Sequence, residues 1–225
     1  MKLKNKGLSS LWLSVAAALS MTLDHAAVMF LKDDTCYLIF RAAGRIAFVI
    51  FAFLIAQSIE KTSSVKRFCI RLFIFAVMTE PVFDISFYGK ALYPAHQNVF
   101  FTLLFGVFAV WAYRESEKYG VLAICTATVL AQLLGFDYGG IGVILIFAFW
   151  FWGRDNIVFI VAVFSAVTAL SGKLNLFALA AIPFLRLYNG KRGGERYTLL
   201  RRWFFYLYYP LHIAVLGIIS RCFGG

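Results

Sequence analysis

Charge is scarce in this chain. Only 15% of its 225 residues are charged while 62% are hydrophobic, a balance that excludes an ordinary soluble domain and fits a polytopic membrane protein. Acids are scarcer still, eleven against twenty-two lysines and arginines. The resulting +11 does not point to nucleic acid. The basic residues lie mainly between apolar runs, where membrane orientation and lipid headgroups account for them. Cys36, Cys69, Cys125 and Cys222 are scattered, without CxxC or Cys/His spacing, so neither a zinc site nor a disulfide framework is predicted. No metal is expected. No soluble domain and no inverted repeat are visible, so the chain reads as one transmembrane domain over residues 1–225.

Long apolar runs are what is present. Nine segments are predicted, near 8–31, 36–59, 67–86, 98–113, 119–134, 139–152, 156–170, 174–188 and 203–221. A backbone in lipid must bond to itself, so each is expected to be helical and the fold class is all-α. The first run is too long for a removable signal peptide and others follow it. The sixth to eighth fall short of the ~20 residues a straight span needs, so they are expected to tilt, merge or re-enter. With a cytoplasmic N-terminus, fifteen of the lysines and arginines fall inside and four outside, while Arg41, Arg45 and Arg71 lie within segments. This bias predicts a multi-pass protein of the bacterial cytoplasmic membrane with its N-terminus inside and C-terminus outside.

Ionisable residues inside apolar runs are costly and mark candidate sites. Asp24 and His25 end the first run, Arg41 and Arg45 lie four residues apart on the second, and Glu80 and Asp84 close the third. At ~1.5 Å per helical residue, all of these fall towards the outer face. Gln97, Asn98, Asp137 and Tyr138 lie in outer loops at the same level. One outer pocket is the functional expectation. The competing structural reading pairs the cations Arg41, Arg45 and Arg71 with the acids Asp24, Glu80 and Asp84. Neighbouring helical positions diverge, so Asp24 is expected to pair with an arginine, leaving Glu80 or Asp84 to orient His25. His212 follows Pro210 in the last run and is expected to pack within the bundle or line a channel.

The segments Met21-Thr-Leu-Asp24-His25, Arg41-Ala-Ala-Gly44-Arg45 and Thr79-Glu80-Pro81-Val-Phe83-Asp84 resemble TraX proteins, a family named for pilin acetylation. The resemblance continues through Gln97-Asn98, Asp137-Tyr138-Gly139, Tyr188-Asn189-Gly190-Lys191-Arg192 and Tyr208-Tyr209-Pro210-Leu-His212. It covers nearly the whole chain. Two departures, Val49 where the family often has proline and no glycine after Asp-His, concern helix shape more than chemistry.

The resemblance implies an acetyltransferase related to the larger membrane acyltransferases. Acetyl would pass from cytoplasmic acetyl-CoA to a peptide, sugar or small-molecule acceptor, with His25 as general base. Arg45, Asp24, Glu80 and Asp84 would support catalysis. Arg41, Gln97, Asn98, Asp137, Tyr138 and His212 would face the acceptor. Arg71, Lys191, Arg192 and Arg196 would meet the CoA phosphates, although the loop of the last three also reads as an ordinary inner loop. A homo-oligomer is compatible with the sequence. The same intramembrane charges would also suit a proton-coupled transporter or flippase, and a non-enzymatic assembly factor is a third reading.

Overall fold

The computed structural model describes residues 7–31, 35–193 and 198–223, with side chains at all of these except 198–202 and 223. The all-α expectation holds: the described residues form nine α-helices and two 3-10 segments, with no strand. The helices are α1 Ser10–Phe30, α2 Thr35–Lys61, α3 Val65–Tyr88, α4 Val99–Glu115, α5 Glu117–Leu133, α6 Gly139–Trp152, α7 Ile157–Ala169, α8 Ala181–Arg186 and α9 Thr198–Phe223.

Local chemistry sets several boundaries. Ser9, Ser64 and Asn98 cap α1, α3 and α4 by accepting backbone N–H bonds from Trp12, Arg67 and Phe100. Gly89, at φ 68°, ends α3 in the left-handed region.

The predicted eighth segment is corrected. Residues 174–188 do not make one helix. A 3-10 segment, Lys173–Ala180, leads into the six residues of α8. Pro183 explains the break, because it has no N–H and its ring collides with the carbonyl four residues earlier, so an α-helix must restart just before it. Among the described helices, α1, α2 and Trp203–Cys222 of α9 are long and apolar enough to cross a membrane, and the chain is a membrane protein. α3 is long enough but carries Lys66, Arg67, Arg71, Glu80 and Asp84.

The chain divides into two compact units, residues 1–54 with 157–225, and residues 55–156. In the first, α1 and α9 run parallel. Thr22 meets Tyr208, His25 meets His212, and Ser220 reaches the Met29 carbonyl, so both numbers rise together. The Ser20 hydroxyl ties α1 to the Ala43 carbonyl of α2 at 2.7 Å. Leu13, Ile50, Phe53, Leu185, Tyr188 and Tyr209 are among its fully buried side chains. The second unit packs α3 to α6 through small residues. A Cβ on Gly106 would strike Ile146, and one on Gly140 would strike Thr128, the close approach that lets helices associate in lipid. Ala109, Ala127, Ala131, Phe136 and Val143 fill the core between α4, α5 and α6.

Candidate functional site

The first unit builds its polar centre on Asp24. Its Oδ2 accepts from Arg41 Nη1 and its Oδ1 from Arg45 Nη2, both at 2.6 Å. The i, i+4 spacing stacks the two guanidiniums on one face of α2. Gly44 lies between them with no side chain, and a Cβ there would collide with the Asp24 carboxylate. Glycine is therefore what lets Asp24 reach both arginines. Arg45 also gives its Nε–H to the Arg41 carbonyl at 3.2 Å and reaches the Asn175 side-chain oxygen at 3.5 Å. Asn175 is held in turn by donating to the Thr168 carbonyl at 2.8 Å. Among the described residues, one carboxylate is thus shared by two guanidiniums. Such a centre, largely withdrawn from water, is costly unless its hydrogen bonds are met.

Because successive helical side chains point about 100° apart, His25 faces α9 while Asp24 faces α2. His25 Nδ1 lies 2.8 Å from His212 Nε2. The two rings are within 6° of parallel and their centroids are 5.0 Å apart. That separation is the N···N distance plus one ring radius at each end, so the rings lie in one plane and meet end-on. His212 Nδ1 is 2.9 Å from the Tyr208 carbonyl, one turn back on α9. The Thr22 hydroxyl lies 2.9 Å from the Ala18 carbonyl and 2.7 Å from the Tyr208 phenol, which also reaches that carbonyl at 3.5 Å. This fixes α9 against α1 at the level of the histidines.

Here the one-to-one ion-pair expectation is corrected. Arg41 and Arg45 share Asp24, while Arg71 lies 5.6 Å over the Phe68 ring. The partner at His25 Nδ1 is His212.

Both acids serve the backbone of the second unit. Glu80 Oε2 accepts from the Asn98 N–H at 3.1 Å and from the Asn98 side-chain amide. Asp84 Oδ2 accepts from the Tyr93 N–H at 2.7 Å. The Asn98 amide also donates to the Ala76 carbonyl at 2.9 Å, and its oxygen caps α4. With all its groups engaged, Asn98 has no donor left for an acceptor molecule. Gln97 and Asp137 exchange backbone contacts: Gln97 N–H meets the Gly135 carbonyl and Asp137 N–H meets the Gln97 carbonyl, both at 2.9 Å. The Gln97 side chain donates to the Pro94 carbonyl at 2.7 Å. His96 Nε2 stands 3.9 Å from Asp137 Oδ1. Tyr138 precedes α6 at φ 63°, a left-handed conformation that costs a side-chain-bearing residue about 1 kcal/mol or more. Of the polar residues expected in one outer pocket, Asp24, His25, Arg41 and Arg45 belong to the first unit and Glu80, Asp84, Gln97, Asn98, Asp137 and Tyr138 to the second.

Lys191 and Arg192 are exposed on a loop knitted to the start of α1. Leu8 N–H bonds to the Leu187 carbonyl at 2.8 Å and Asn189 N–H to the Leu8 carbonyl at 2.9 Å. The Lys191 and Arg192 carbonyls accept from Ser10 and Leu11, N–H groups that a helix start otherwise leaves unpaired. Arg196 lies outside the described residues. Sequence reading missed Asn175, which lay within a predicted apolar helix. It also missed the Thr22–Tyr208 lock, whose signal was the i, i+4 placement of Tyr208 and His212.

Comparison with known proteins matches the sequence to one family. The chain is 28% identical to the probable fimbrial assembly protein FimC, serogroup H1, of Dichelobacter nodosus, over 95% of this chain and 96% of that protein. No solved structure matches it. The family model described as TraX protein matches residues 10–220, and the chain therefore belongs to the TraX family.

Proposed function

We propose that this protein is an integral membrane acetyltransferase, moving acetyl from cytoplasmic acetyl-CoA to an acceptor amine or hydroxyl, with His25 as general base. The observation that carries the reading is the juxtaposition in the first unit of a histidine with two arginines clamped on one carboxylate. Acyl transfer needs both. The imidazole takes the proton of the attacking amine or hydroxyl, and cationic donors stabilise the oxyanion that forms on the thioester carbonyl. Arg41 and Arg45 together carry more N–H donors than one carboxylate can accept. Asp24 aims the two guanidiniums.

The nine-span topology is supported in part by the first unit. The loop ending at Arg192 closes onto the start of α1, and the parallel α9 ends at the level where α1 ends. Both features fit a basic N-terminal face in the cytoplasm and a C-terminus outside. Residues 173–186 would then bring the chain back inside as a broken, short segment. In this reading the exposed Lys191 and Arg192 meet the CoA phosphates. Membership of the TraX family and the name of the fimbrial relative favour a pilin-like peptide as acceptor.

Purified protein in lipid nanodiscs, given acetyl-CoA labelled in its acetyl group, tests the proposal. Release or transfer of label is expected, whereas a transporter or assembly factor would leave acetyl-CoA intact.

A further inference from the structure

We infer that His212 is a positioning residue that fixes the tautomer of His25, presenting Nε2 as its basic atom. The inference rests on the proposed role of His25, but the geometry stands independently. The Tyr208 carbonyl can only accept a hydrogen bond, so His212 Nδ1, at 2.9 Å, carries the proton. A neutral imidazole has one N–H, so His212 Nε2 is then an acceptor. His25 Nδ1, at 2.8 Å, must donate to it, and the lone pair of His25 falls on Nε2. The coplanar rings, 6° apart, put the N–H and the facing lone pair on one line, the orientation a hydrogen bond prefers.

The balance of a proton transfer is straightforward. The acceptor's N–H or O–H bond breaks as a new N–H bond forms at His25 Nε2, and His25 becomes an imidazolium. The Nδ1–H bond to His212 persists and strengthens as the donor becomes charged. His212 thereby does for His25 what a buried aspartate does in a hydrolase triad, but without placing a second anion in the membrane. The lock between Thr22 and Tyr208 holds the relay in register.

Nitrogen NMR of histidine-labelled protein in nanodiscs tests this without reference to activity. The chain has three histidines, so substitutions at His96 and His212 assign the signals. Wild-type His25 is expected as the Nδ1–H tautomer. His212→Gln, whose amide oxygen accepts in place of Nε2, is expected to keep it, and His212→Leu to lose it. Turnover should fall about 100-fold in His212→Leu with KM little changed, and recover largely in His212→Gln. An Nε2–H tautomer in wild-type His25 overturns the inference even if His212→Leu does not fold, as does an unchanged tautomer in a folded His212→Leu. Absence of any acetyl transfer alongside the expected tautomer would overturn the enzymatic reading and leave this assignment intact.

Discussion

The two units treat acidic residues in opposite ways. In the first, Asp24 meets two guanidiniums, and beside it His25 meets another imidazole. In the second, Glu80 and Asp84 accept from backbone N–H groups of Asn98 and Tyr93. The acids of the second unit bind loop backbone, whereas the acid of the first holds two side-chain cations together. An ionisable residue at apolar depth is therefore not in itself a sign of chemistry. The nature of its partner decides.

The largest effect that would sharpen this contrast is expected at His25. His25→Ala should lower acetyl transfer by at least about 100-fold while leaving thermal unfolding close to wild type; substantial remaining turnover would remove the histidine mechanism. Next comes Asp24→Asn, which leaves both guanidiniums without their anion. Breaking a buried pair typically costs about 3–5 kcal/mol, and chemical unfolding in detergent should show a loss of that order, relieved when Arg41→Gln is added. Gly44→Ala is expected to cost about 1–3 kcal/mol by overpacking. It should also reduce turnover, because the new methyl occupies the space of the Asp24 carboxylate.

The smallest effect is expected in the second unit. Glu80→Gln keeps an acceptor for the Asn98 N–H, so it should lower the melting temperature modestly and leave kcat near wild type. A kcat collapse in folded Glu80→Gln would break the comparison, because it would give the second unit a part in the chemistry.

Much of the helical pattern was legible because a chain in lipid has few alternatives. The apolar run 139–152 coincides with α6, and Asp24 pairs with arginine as the angular offset from His25 requires. What was not legible depended on contacts between distant segments. His25 and His212 are 187 positions apart, and helical periodicity carries no information about which helix a face will meet. The shared clamp on Asp24 was hidden for a related reason: counting three cations and three acids suggests three pairs, whereas Gly44 allows two cations to reach one acid. The break within 174–188 had a local signal in Pro183, which overall hydropathy conceals.

The central claim is that the histidine beside the arginine clamp performs acetyl transfer. Its most direct test is the release or transfer of acetyl label from acetyl-CoA by purified wild type and His25→Ala, both shown to be folded in nanodiscs. The account predicts turnover by the wild type and its loss in the variant. Equal rates in both, or intact acetyl-CoA with the wild type, would contradict it.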